Sequence, residues 1–153
     1  MSVPVLALDG TVLEALAMVE SGGNDRAVGR AGEVSRYQIM PRLWRQAVRG
    51  MPARVASDAA TARQVATTLL EGRLARFKSA TTREPTAREV YALWNAPGLL
   101  EREGWRYERL PRVVRQRCDR FAQEIARRQA PRCAAGKAGD SNANGKPRRA
   151  TRP

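Results

Sequence analysis

The sequence predicts a mainly α-helical domain with a small loop or β-hairpin region near residues 23–38. Three observations lead there. Apolar residues recur at helical spacing in several separate segments, those segments open on helix-capping residues, and they close on Gly or Pro. Thr11 and Glu14 read as a capping box, after which Val12, Leu13, Leu16 and Val19 mark one face of a first helix. Gly22-Gly23 stops it, which leaves Glu20 at its end. Residues 23–38 are rich in Gly and polar groups and have no helical period. Pro41 opens a second helix to about Val48, and Gly50 and Pro52 break it. Ser57 is the expected cap of a long helix whose Val65, Leu69, Leu70, Leu74 and Phe77 share a face. Thr86 and Glu89 form another capping box, starting a helix through Val90, Leu93 and Trp94 that stops at Pro97-Gly98 and holds Asn95 at its end. The last helix runs from near Leu110 to Gln129, with Val114, Cys118, Phe121 and Ile125 inward and Arg112, Arg115, Arg120 and Arg127 largely elsewhere.

A chain of 153 residues, 42% of them apolar, is long enough for one domain with a real core, assigned here to residues 1–130. Residues 131–153 carry six basic side chains against one acidic and no apolar period, and are expected to form a disordered basic tail. The excess of 28 Lys and Arg over 15 Asp and Glu, a net +13, attracts polyanions such as bacterial wall polymers and nucleic acids. Nucleic acid is not the expected partner, because no DNA or RNA motif is present and the basic residues of the last helix and tail are not interleaved with stacking aromatics.

The absence of histidine removes Ser/His and Cys/His pairs, imidazole bases and imidazole-ligated zinc. Acid/base chemistry then falls mainly to carboxylates, and neither a metal nor another cofactor is expected. Cys118 and Cys133 are too few for a four-thiolate zinc site and fit either one disulfide or two thiols. No run reaches the roughly 20 apolar residues of a membrane helix, and Met1 to Leu8 has neither a basic n-region nor an h-region. No membrane span and no export signal are therefore expected within this chain.

Four local sequences stand out in order: Glu20-Ser21-Gly22-Gly23-Asn24, Ala27-Val28-Gly29-Arg30-Ala31-Gly32, Tyr37-Gln38-Ile39-Met40-Pro41, and Tyr91-Ala92-Leu93-Trp94-Asn95-Ala96-Pro97-Gly98. Together they resemble the soluble lytic transglycosylase family, in which a Glu-Ser pair closes the first long helix. In that family an Asn and a Gly-containing loop follow, a Gln-x-Met-Pro segment begins the next helix, and an aromatic-Asn-Ala-Gly motif comes later. The resemblance covers roughly residues 10–98. It implies an α+β lysozyme-like fold, peptidoglycan glycan strands as substrate, action by a monomer in the periplasm or outside the cell, and Glu20 as the catalytic residue. It departs from the family at Ser35 and Arg36, where members usually carry a Gly and an apolar residue, and in the shortened Asn95-Ala96-Pro97-Gly98. The family also holds its glutamate with a tyrosine near the C-terminal end, for which Tyr107 is the nearest candidate.

The residues support the same chemistry on their own. A glycosidic oxygen is a poor leaving group until a carboxylic acid protonates it. Glu20 sits at the negative end of a helix dipole, and burial against Val19 or Met40 would favour its neutral, proton-donating form. The resemblance implies that it then acts as base toward the muramic sugar's own 6-hydroxyl, giving an anhydro sugar without consuming water. That route demands no second carboxylate, and the acids that next follow Glu20 are Asp25 and Glu33. A hydrolase of the same bond is the alternative, with Asp25 or Glu33 as its base, followed by a non-catalytic basic wall- or nucleic-acid-binding protein. Ser21 is expected to bond backbone or steady Glu20, because no base is present to activate it. Asn24, Gln38 and Asn95 are candidates for substrate binding or support, and Tyr37, next to Gln38, for stacking on a sugar.

Overall fold

The computed structural model describes residues 8–50 and 53–130 and bears out the mainly helical prediction. Its elements are α1 (Gly10–Ser21), α2 (Pro41–Ala47), a 3-10 turn (Ala53–Ser57), α3 (Ala59–Thr81), α4 (Ala87–Asn95), α5 (Pro97–Arg102), a second 3-10 turn (Tyr107–Arg109) and α6 (Arg112–Gln129). The expected tail, residues 131–153, lies outside the described residues, as does Cys133. Cys118 is a free, buried thiol whose pKa burial pushes up to about 12. Among the described residues no helix is long and apolar enough to cross a membrane.

Two helices start on a different residue from the one expected, for one reason. The Asp9 side chain accepts the N–H groups of Thr11 (2.8 Å) and Val12 (3.1 Å), so Asp9 and not Thr11 caps α1. Glu14, freed from a capping box, faces Arg36 at 3.5 Å and Arg63 at 3.8 Å. Asp58 likewise replaces Ser57 as the cap of α3, accepting from Thr61 N–H at 2.8 Å. In both places an aspartate is available, and its carboxylate is a strong acceptor for the free N–H groups of a first turn. The capping box of α4 forms as expected: Thr86 N–H donates to Glu89 at 2.8 Å, and Glu89 N–H donates to the Thr86 hydroxyl at 3.3 Å. Arg83 completes the coordination of this buried carboxylate at 3.0 Å, so the charge is matched and hydrogen-bonded. Pro97 does more than end α4: it occupies the first turn of α5, where its missing N–H costs nothing.

The segment between α1 and α2 has only isolated antiparallel bridges, Val28 to Val34 and Val34 to Ile39, in place of a full hairpin. Val34 and Ile39 exchange both backbone bonds at 2.9 Å, which folds the intervening residues into a tight turn. Helix α6 packs against α4 and α1, and its Cys118, Phe121 and Ile125 enter the core as their spacing predicts. The same core holds Leu16, Tyr37, Trp44, Leu70, Phe77 and Tyr91. This packing brings the end of α1, the turn after it and the end of α4 to one side of the molecule.

Candidate active site

Glu20 lies one residue before the end of α1, where Gly22 takes the left-handed conformation (φ 66°) that closes the helix. Gly22 N–H reaches Met18 O and Gly23 N–H reaches Ala17 O, each at 3.1 Å, which satisfies the last carbonyls and fixes the direction in which Glu20 leaves the helix. The Ser21 hydroxyl donates to Arg36 O at 2.8 Å and accepts Asn24 N–H at 3.1 Å, clasping the turn to the helix end. Ser21 is thus a brace beside Glu20. Asn24 serves the same turn, its side-chain oxygen accepting Arg26 N–H at 3.0 Å, and it does not reach the cleft.

Glu20 opens into a cleft of about 690 Å³. Gln38, Met40 and Glu33 of the turn, Leu69 and Arg73 of α3, and Trp94 and Asn95 of α4 share its walls. Gln38 and Asn95, singled out from separate motifs, therefore face the same space as Glu20. The Gln38 amide donates to Ser35 O at 3.0 Å, whereas the Asn95 amide makes no hydrogen bond among the described residues. Gly29 explains how the turn wall can be so close. A Cβ on it would lie 2.2 Å from a Glu33 carboxylate oxygen and 2.6 Å from the Gln38 amide oxygen, so these two side chains converge where only glycine leaves room.

The partner of Glu20 is Tyr91, whose hydroxyl donates to the carboxylate at 2.8 Å. The expectation that Tyr107 fills this role is overturned. The Tyr107 hydroxyl is turned to Arg115 O (3.2 Å) and Asp119 (3.3 Å) and lies away from the cleft. Tyr91 was missed as a separate residue although its signal was present: it precedes Asn95 by four positions, so the two share one face of α4. Its ring rests on Phe121 of α6, centroids 5.5 Å apart, which aims the hydroxyl at Glu20. Tyr37 is corrected too. It is 0% exposed, in the core, and has no face to offer a sugar. The aromatic ring that does line the cleft is Trp94, 8% exposed, held under the guanidinium of Arg73 at 5.2 Å. Arg73 also donates to Leu93 O (3.1 Å) and Trp94 O (2.7 Å), closing the end of α4.

Burial pushes the Glu20 pKa above the ordinary carboxylate range; the Tyr91 hydroxyl and the positive charge of Arg117 oppose this, and Glu33 adds to it. The outcome is a carboxylic acid held toward its protonated form beside an open cleft, the condition for a general acid. Among the described residues no group of three or more His, Cys, Asp or Glu is placed to hold a metal ion.

A helical domain carrying such an acid at the end of its first long helix belongs to the lysozyme-like class. The family model of the Transglycosylase SLT domain matches residues 6–96, more than half of the chain, and the protein belongs to that family. Membership places it among transglycosylase-type enzymes of peptidoglycan. No curated protein and no solved structure matches the chain.

Proposed function

We propose that the protein is a lytic transglycosylase that cleaves the β-1,4 bond between N-acetylmuramic acid and N-acetylglucosamine in the bacterial wall, acting as a monomer in the periplasm or outside the cell. The observation that carries this reading is Glu20, its pKa raised by burial, bonded to Tyr91 and open to the cleft. Its carboxylic acid gives a proton to the bridging oxygen, and the bond from C1 of the muramic sugar breaks with its electron pair left on the departing sugar. Positive charge grows at C1 and the ring oxygen. The sugar's 6-hydroxyl then attacks C1 while its proton passes to the Glu20 carboxylate, which closes a 1,6-anhydro ring and restores the acid. Gln38 and Asn95 present amides to the glycan, and Trp94 offers it an apolar wall.

The test is Glu20→Gln on purified peptidoglycan, with muropeptides analysed by mass spectrometry. The wild type should release fragments ending in 1,6-anhydromuramic acid. The variant, similar in shape but unable to donate or recover a proton, should lose about 10² to 10⁴ in rate while still binding glycan. Wild-type protein that releases no such fragments, or a variant as active as the wild type, would defeat the reading.

A further inference from the structure

We propose that Glu33 is a second catalytic carboxylate of this site, stabilising the positive charge at C1 and letting water compete with the 6-hydroxyl for it. The inference rests on the transglycosylase reading of Glu20 and adds a residue and a product to it. Of the two acids that next follow Glu20 in the chain, only one enters the cleft. Asp25 is drawn off by Arg36 at 3.3 Å, whereas Glu33 lines the same space as Glu20.

Glu33 is placed differently from the ion-paired acids of the described residues. Glu14, Glu84, Glu89, Glu101, Asp119 and Glu124 are all in ion pairs. Glu33 has no ion pair among the described residues, although Arg30, Arg42, Arg73 and Arg117 border the same cleft. It is held instead by backbone, one carboxylate oxygen accepting Ala31 N–H at 2.9 Å, in the niche that Gly29 leaves open. An oriented negative charge with no adjacent cation is suited to a positive centre that exists only during reaction, because it need not reorganise when the charge develops. Glu20 and Glu33 line one cleft, so a single glycan strand bound there meets both carboxylates.

Two carboxylates, one protonated and one charged, are what glycoside hydrolysis uses. Once the C1 bond has broken, a stabilised cation lasts long enough for the leaving sugar to withdraw and a water to enter. The water oxygen bonds to C1 and its proton goes to the Glu20 carboxylate, which restores the acid and leaves a reducing muramic end carrying one solvent oxygen. Capture by the 6-hydroxyl leaves none.

Digestion of peptidoglycan in heavy-oxygen water reads both routes at once. The wild type should give anhydro ends together with a labelled reducing-end fraction. Glu33→Gln keeps an oxygen for Ala31 N–H but loses the charge; it should slow total cleavage about tenfold or more and reduce the labelled fraction. Glu33→Asp, which keeps the charge, should recover part of both. Glu33→Gln should also move the alkaline limb of the pH–rate profile to lower pH, because the charge that raises the Glu20 pKa is gone while Tyr91 of α4 and Arg117 and Arg120 of α6 remain. A folded Glu33→Gln enzyme with unchanged rate and product ratio overturns the proposal and leaves Glu20 standing. Equal losses in Glu33→Gln and Glu33→Asp overturn it as well, by showing that the turn's shape matters and the charge does not. Cleavage indifferent to Glu20→Gln defeats the transglycosylase reading itself, and this proposal with it.

Discussion

Glu20 is poised by opposing influences, and each can be removed separately. The Tyr91 hydroxyl donates to the carboxylate and so favours its charged form; without it Glu20 keeps its proton to higher pH. Tyr91→Phe should therefore move the alkaline limb of the pH–rate profile upward, opposite to Glu33→Gln, while lowering the maximal rate because the acid is less well aimed. An unmoved limb would mean that the hydroxyl does not act on Glu20. Ser35 is a second single-residue case. The family's usual glycine is replaced here by a serine that still takes the left-handed conformation, φ 71°, at a cost of about 1–2 kcal/mol for a residue with a Cβ. Its hydroxyl offsets part of this by accepting Tyr37 N–H at 3.2 Å. Ser35→Ala retains the strain and loses the bond, so unfolding should show a loss of about 1–2 kcal/mol. Ser35→Gly exchanges one for the other and should stay within about 1 kcal/mol of wild type.

At the scale of elements, α4 supplies three side chains to one purpose. Tyr91 reaches Glu20, Trp94 lines the cleft, and Asn95 ends the helix facing the same space. The capping box of Thr86 and Glu89 sets where this helix begins, Arg73 closes where it ends, and the rotation between those points decides which residues face α1. The Asn95 side chain makes no hydrogen bond among the described residues, so Asn95→Ala should change stability by no more than about 0.5 kcal/mol. Its turnover should fall about tenfold, the worth of one lost hydrogen bond to substrate. Gln38→Ala should lower both quantities, since Gln38 also holds Ser35 O in the turn. A large stability loss in Asn95→Ala would assign that amide to the fold.

At the scale of the whole molecule, the acid depends on a relay of packing from α6 through α4 to α1. Phe121 supports the ring of Tyr91, which in turn fixes Glu20, so the site draws on three helices far apart in sequence. Phe121→Ala should cost about 3–5 kcal/mol in denaturant unfolding, as a fully buried aromatic removed from a core. Measured below its melting temperature, the folded variant should also turn over more slowly, because the cavity lets Tyr91 shift. Full activity in the folded variant would show that Tyr91 is positioned without α6. The net charge of +13 acts over the whole surface and should make association with anionic wall polymers weaken as salt is raised.

Periodicity and caps made the helices legible because both are local: a stripe of apolar residues and a carboxylate or hydroxyl at a helix start act within a few residues. Glu20 at a helix end, the Gly-rich turn, Gln38 and Asn95 were readable for the same reason, and their order in the chain led to the family. Which of several nearby acceptors caps α1 and α3 is not fixed by local pattern, since Asp9 competes with Thr11 and Asp58 with Ser57 on geometry alone. Only the tertiary structure decided that Tyr91 and not Tyr107 meets Glu20, that Tyr37 is core, and that Glu33 enters the cleft while Asp25 does not. Those outcomes depend on how helices rotate and cross once their apolar faces are buried together. Burial, the largest influence on the Glu20 pKa, likewise arises from side chains that the chain brings close only when α1, α4 and α6 have packed.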